Sequence, residues 1–356
     1  MIRFLLCLVL ALSLSSLPIG SLQAQLIGGR QVYKFLDISN SARLSGLGGN
    51  LITVMDDDIH LASKNPSSLN QQMHQQIGFS HSFLFEGIGN SYVGYGHHVD
   101  KWNTTFHGGL QYINYGEFER TNEFFQSEGT FQASEFAFTV GAGRQIDERL
   151  HLGTNVKVIS SQFDIYQSFG VAADAALFYQ DTARNFTASL VFKNMGTQLS
   201  TYEEGTNEPL PFEIQFGISK RLRYLPFRFS VIYEHLQSWN ILYDDPNLEQ
   251  GIIFIGEDSQ QSGDNTFINN LFRHFVFNGE LLMGAKENFR LRFGYRHILR
   301  QELSVDSFGS LAGFSFGVGF RVNRFKIDYG LYNMHIAGGV NHLSISTNIK
   351  EFKKGN

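Results

Sequence analysis

From Gln76 onward, apolar and polar residues alternate with a period of two in segments about ten residues long, the length a tilted strand needs to cross lipid. Phe212, Ile214, Phe216 and Ile218 alternate with Glu213, Gln215, Gly217 and Ser219. Phe289, Leu291, Phe293 and Tyr295 alternate with Arg290, Arg292, Gly294 and Arg296. The same pattern recurs from Gly313 to Phe320 and from Phe325 to Tyr332. Successive side chains of a strand point to opposite faces, so each segment carries one greasy face and one face of Gly, Ser and charge.

Counting such segments predicts about fourteen strands, centred near Ser80, Tyr95, Leu110, Phe138, Val156, Ala175, Leu190, Phe216, Val231, Glu280, Phe293, Phe316, Tyr329 and Ser344. The connections alternate in length. Short ones fall around Asp100, Asp147, Asp181, Tyr224, Glu287 and Asn323, and longer ones include Gly116 to Thr130, Gly196 to Glu208 and the polar run from Asn240 to Arg273. Short turns at one end and long loops at the other are the signature of a bacterial outer-membrane barrel, and an even strand count returns both barrel ends to the periplasm. The expected fold is all-β: a transmembrane antiparallel β-barrel of about 14 strands over residues 76–350, with an N-terminal plug, or hatch, over residues 25–75. A soluble sandwich would bury its apolar faces between two sheets, and the Gly, Ser and charge on the opposite face fit a barrel lumen instead.

Composition narrows the choice further. The 356 residues include 34 Phe, 36 Gly and only 6 Pro, and 17% are charged. Mean hydropathy is -0.14, and no apolar run beyond the N-terminus is long enough for a membrane helix. A membrane form must then be a closed barrel, because only helices and barrels satisfy every backbone group in lipid. Arg3, the apolar stretch Phe4 to Leu12 and the Leu22-Gln23-Ala24 end predict a secretory signal peptide over residues 1–24. The single cysteine, Cys7, falls within it, so disulfides, thiolate zinc sites and thiol catalysis are not expected of the exported chain. A net charge of -5 offers no broad basic surface for phosphate backbones, so no nucleic-acid partner is expected.

Residues from about Tyr33 to Asn70 do not alternate. Ser41-Ala42-Arg43-Leu44-Ser45-Gly46-Leu47-Gly48-Gly49 concentrates small residues and three glycines, which permits tight turns and close backbone approach. Asp56-Asp57-Asp58 follows, and then Asn65-Pro66-Ser67-Ser68-Leu69, where Pro66 fixes φ and biases Asn65 away from helix.

The order Tyr33-Lys34-Phe35-Leu36, Ser41-Ala42-Arg43 with Gly46 and Gly48-Gly49, the acidic patch and Asn65-Pro66-Ser67 with Leu69 resembles the N-terminal hatch of FadL-like outer-membrane proteins. More narrowly it resembles the PorV and PorQ components of the Bacteroidetes type IX secretion system, PorQ being the nearer. Ser67 stands where the family commonly has alanine. The motifs span about forty residues. Beyond them the likeness rests on length and strand count. The resemblance implies a 14-stranded barrel plugged by its N-terminal segment and a non-enzymatic role in protein secretion. The PorQ likeness further implies that the barrel holds a PorZ-like cell-surface partner of the attachment complex. Contacts with such a partner would lie on external loops, with Asn240 to Arg273 the largest candidate, and that run reads equally as a polar loop without a dedicated partner. Outer-membrane lipid is the other expected partner.

Candidate chemistry is sparse. Asp56, Asp57, Asp58 and His60 could offer oxygen and nitrogen ligands to a hard cation, but the EF-hand spacing and its closing Glu are missing. These carboxylates are expected instead to pair with lumen-facing Arg290, Arg292 and Arg296 and so fix the plug by charge. Twelve histidines, His97-His98 among them, show no spacing that defines a ligand set, and Gly46 to Gly49 lacks the Lys-Ser or Lys-Thr of a phosphate loop. No cofactor, metal or catalytic residue is expected. Glu213, Glu234, Glu280, Lys326 and Asp328 make the inferred lumen charged, which favours a secretion-system scaffold, while Ala172, Ala176 and Phe178 leave room for an apolar pocket. The alternatives are a FadL-like channel for uptake of hydrophobic small molecules, which requires an apolar lumen pocket and a gap in the wall, and a diffusion porin, which requires an open constricted pore.

Overall fold

The computed structural model describes residues 31–203, 205–241, 263–284, 287–303, 311–335 and 338–353. The signal-peptide expectation for residues 1–24 lies outside them, as do residues 25–30 of the hatch and 242–262 of the longest connection.

Fourteen strands close into one antiparallel barrel: β1 Gln76–Phe83, β2 Gly89–Val99, β3 Thr104–Thr121, β4 Ser127–Asp147, β5 Leu150–Phe163, β6 Tyr166–Asp181, β7 Phe186–Ser200, β8 Glu213–Arg221, β9 Phe227–Tyr233, β10 Phe275–Met283, β11 Phe289–Arg296, β12 Phe314–Val322, β13 Phe325–His335 and β14 Gly338–Asn348. Each strand pairs with its sequence neighbours, and β1 pairs with β14 from Gln76↔Asn348 to Phe83↔Asn341, so no edge is left open. All fourteen centres read from the alternation fall inside these strands.

The outward faces form an apolar belt. Phe79, Val93, Leu110, Phe138, Val156, Phe216, Phe293, Phe316 and Ile345 are all exposed on it. A closed barrel with such a belt is an outer-membrane-type barrel, since a water-soluble surface does not carry a continuous apolar girdle. No helix among the described residues is long and apolar enough to cross a membrane. The inward faces carry Glu213, Gln215, Asn278, Glu280, Arg292 and Ser344, all buried.

Wall height is uneven. β3 and β4 run 18 and 21 residues, whereas β8 to β12 run seven to nine. The stretch Gly116 to Thr130, expected as a loop, is for the most part a continuation of β3 and β4. Phe118 stacks on Phe131 across the pair, and a cross-strand aromatic pair sustains strand beyond the lipid belt. Part of Gly196 to Glu208 likewise continues β7 as far as Ser200. Within Asn240 to Arg273, the described portion holds a helix, Gly263–Arg273. Phe267, Ile268 and Phe272 give that helix an exposed apolar side that the polar look of the run concealed.

Candidate functional site

Residues 31–75 are mostly buried and contact inward-facing residues of the wall, among them Ala172, Ala176 and Glu280. Short helical turns fold this segment because its polar side chains cap them locally. Ser41 Oγ accepts from Leu44 N at the start of the short helix Ala42–Ser45, and Asn65 Oδ1 accepts from Ser67 N at the turn Pro66–Ser68. Ser67 adds its hydroxyl to the same Asn65 oxygen at 2.5 Å.

Wall glycines make room for these turns. A Cβ on Gly46 would lie 2.8 Å from the Gly317 Cα of β12, and a Cβ on Gly153 of β5 would overlap the Pro66 carbonyl. Small residues on the inward face therefore reflect backbone-to-backbone packing of the segment on the wall rather than an open lumen. The apolar space expected around Ala172 and Ala176 is taken up by the segment, and Phe178 is buried with its ring edge-on to His151. Val32, Tyr33, Phe35 and Leu36 pack on Ala172, and Ile52 packs on Ala176, Val191 and Ile232.

Charge holds the segment to the wall, through partners other than those expected. Arg43, only 1% exposed, donates to Glu280 of β10 through Nε at 3.0 Å and Nη2 at 3.2 Å, and its guanidinium also meets Asp56 at 2.8 Å and Asp58 at 3.2 Å. Asp57 pairs with Lys326 of β13. Asp58 also accepts from its own neighbour His60, whose Nδ1 lies 2.8 Å away. The arginines expected to meet the Asp triplet are engaged elsewhere. Arg292 binds Glu280 and Asp328, Arg296 binds Glu234, and Arg290 faces Glu287. Carboxylates of the wall and its turns, Glu280 on the adjacent strand, Asp328 and Glu234 two strands away and Glu287 in the preceding turn, reach these arginines first, and Arg43 carries the link to the triplet instead. Each Asp of the triplet thus already faces Arg43, Lys326 or His60, which leaves no free oxygen cage for a hard cation.

Burial opposes the charge on Asp58, but the His60 hydrogen bond and the charges of His60, Arg43 and Lys326 hold its carboxyl well below the usual range. Burial, with Lys193 and Lys157 nearby, pushes the Lys64 ammonium down to about 7. Its Nζ donates to the Leu36 and Ile38 carbonyls at 2.9 and 2.8 Å, which ties two stretches of the segment together.

Above the segment, at the end where the longer connections lie, is a cavity of about 320 Å³. Ile38, Leu84, Leu299, Met334 and Val340 supply an apolar lining, Tyr332 an aromatic wall, and Lys34, Asp37, Arg296 and His342 a polar edge. His342 Nδ1 lies 2.8 Å from Ser45 Oγ, and its Nε2 has no hydrogen-bond partner, so no carboxylate orients this Ser-His pair as in a hydrolase triad. The cavity is not visible in the alternation, because its walls come from the segment, a loop, a helical turn and the ends of four strands.

No family model and no curated protein matches the sequence. Solved structures do. The Pseudomonas putida toluene transporter TodX is 10% identical with a TM-score of 0.50, over 87% of this chain and 96% of that one. The CymD monoaromatic hydrocarbon channel is 13% identical with a TM-score of 0.49, over 87% and 96%. A Pseudomonas aeruginosa FadL homologue is 8% identical with a TM-score of 0.46, over 87% and 98%. The fold is shared with TodX.

Proposed function

We propose that this chain is a FadL-like outer-membrane barrel that takes up a small apolar molecule, of about the size of a monoaromatic ring, into the cavity above its N-terminal segment. The cavity carries this reading. It opens at the long-loop end, which is the external end of an outer-membrane barrel, and it combines an apolar lining with a polar edge and a volume in the range of small-ligand sites. The toluene transporter with the same fold agrees with that ligand class. The burial of residues 31–75 and the ion pairs from Arg43 and Asp57 to inward-facing Glu280 and Lys326 speak against a diffusion porin. Toluene binding to the purified barrel tests the proposal. Wild type binds it saturably and Val340→Trp, which crowds the cavity, removes the saturable component; non-saturable partition alone, equal in both, overturns the reading.

A second reading has its own support. The strand pairing closes the barrel and the segment is held by the buried Arg43–Glu280 pair and the half-buried Asp57–Lys326 pair, which suits a static scaffold. In that reading the barrel is a PorQ-like part of a type IX secretion system that anchors a PorZ-like surface protein. Affinity purification from the native envelope separates the two: recovery of a stoichiometric surface partner favours the scaffold, and its absence alongside measurable uptake favours the channel.

A further inference from the structure

Strand alternation places Glu234, which follows β9, on the inner face and His235 on the outer one. The backbone does not keep to that pattern. His235 has φ 57, a left-handed conformation uncommon for a residue with a side chain, and its ring turns back toward the interior. Its Nδ1 comes to 3.6 Å from Oε1 of Glu213, the first residue of β8. Ligand atoms of Glu213, Glu234 and His235 all lie within 4.8 Å of one another.

We propose that Glu213, Glu234 and His235 form a binding site for a borderline divalent cation, zinc first, at the external rim of the barrel. The unmet hydrogen-bonding capacity points to a ligand. Glu213 Oε1 is buried with no hydrogen-bond partner, on a side chain that is 8% exposed, and His235 Nδ1 is likewise without one. The gap of 3.6 Å is too long for a hydrogen bond, so the two atoms face each other with their hydrogen-bonding capacity unmet. Two carboxylates and one imidazole are a donor set zinc accepts, with a fourth position left open.

The surrounding shell orients these donors. Lys193 holds the other Glu213 oxygen at 3.2 Å, Arg296 holds Glu234, and Asn50 of the N-terminal segment donates to Glu234 Oε1 at 2.7 Å. Outer partners of this kind fix the direction in which a ligating carboxylate points. Lys193 and Arg296 also offset the two carboxylate charges, so affinity in the micromolar range is expected rather than that of a structural zinc site, and an anion is the natural fourth ligand. Because Asn50 belongs to the segment, the ion would tie the rim to the segment.

The full chain in detergent, stripped with a chelator and titrated with zinc and separately with cobalt, tests the assignment. Wild type takes up one equivalent and gives the visible cobalt absorption of a low-coordinate site. His235→Ala, at a partly exposed position beyond the strand end, keeps the barrel and loses both signals, and Glu213→Gln weakens zinc at least tenfold. Failure of wild type to bind zinc below millimolar concentration overturns the proposal, as does retention of full binding by His235→Ala.

Discussion

Arg43 of the N-terminal segment and Glu280 of β10 are 237 residues apart in the chain and form a two-point ion pair with both side chains almost wholly buried. Arg228 and Arg292 flank the same carboxylate at 2.6 and 3.1 Å, so Glu280 is the point where segment and wall meet. A buried pair is weak evidence for net stabilisation, but removing one partner leaves the other charge uncompensated.

Arg43→Ala is therefore expected to cost about 3–5 kcal/mol, in the range for breaking a buried pair. Glu280→Ala is expected to be comparably harmful, because it removes the carboxylate that Arg43, Arg228 and Arg292 share. The double variant should cost less than the sum of the two. Unfolding in denaturant, read as a double-mutant cycle, checks the coupling, and additive losses would show that the pair does not hold the segment.

Close packing gives an independent handle. Gly46→Val puts a branched side chain where even a Cβ meets the Gly317 backbone at 2.8 Å. The segment must shift, at a cost of about 1–3 kcal/mol or more. Protease sensitivity within residues 31–75 should rise while the barrel strands stay protected. Unchanged protection would mean that the segment is not seated against β12.

The pH dependence of segment anchorage follows from two opposite shifts. Asp58 and Asp56 have carboxyl pKa values lowered in the folded chain, so their contribution is present above the unfolded value of 3.8 and is lost as pH falls below it. Lys64 is lowered from 10.5 to about 7, so the unfolded chain binds the extra proton between those values and stability rises with pH across that window. Hydrogen exchange in the segment should thus slow, relative to the pH-corrected intrinsic rate, from pH 7 to 10 and accelerate below about pH 4. Lys64→Met should flatten the alkaline limb only.

Much of the barrel was legible from the sequence, because period-two alternation is a local property and each strand needs only its own residues to show it. Phe216 and Glu280 declare their faces without reference to any partner. The lumen contents were harder to read. Arg43 stood out within a small-residue motif and Glu280 within a strand, but nothing in the chain's order says that they meet. The Asp triplet was recognisable as charge that needs a partner, while the choice of Arg43 and Lys326 over Arg290, Arg292 and Arg296 depends on which side chains the fold brings nearest. Glu213, Glu234 and His235 escaped for a different reason: the left-handed φ of His235 breaks the alternation that would have placed its ring outside. The signal available beforehand was the adjacent Glu-His pair at a strand end.

The most direct test of the uptake reading is where toluene sits. Nuclear Overhauser contacts between toluene and methyl-labelled barrel in lipid nanodiscs should saturate with ligand and appear on Val340, Met334 and Ile38, which line the cavity. Val340→Trp should abolish the contacts to Met334 and Ile38. Contacts confined to outward methyls such as those of Val93 and Ile345, which report only toluene dissolved in the bilayer, would contradict the account.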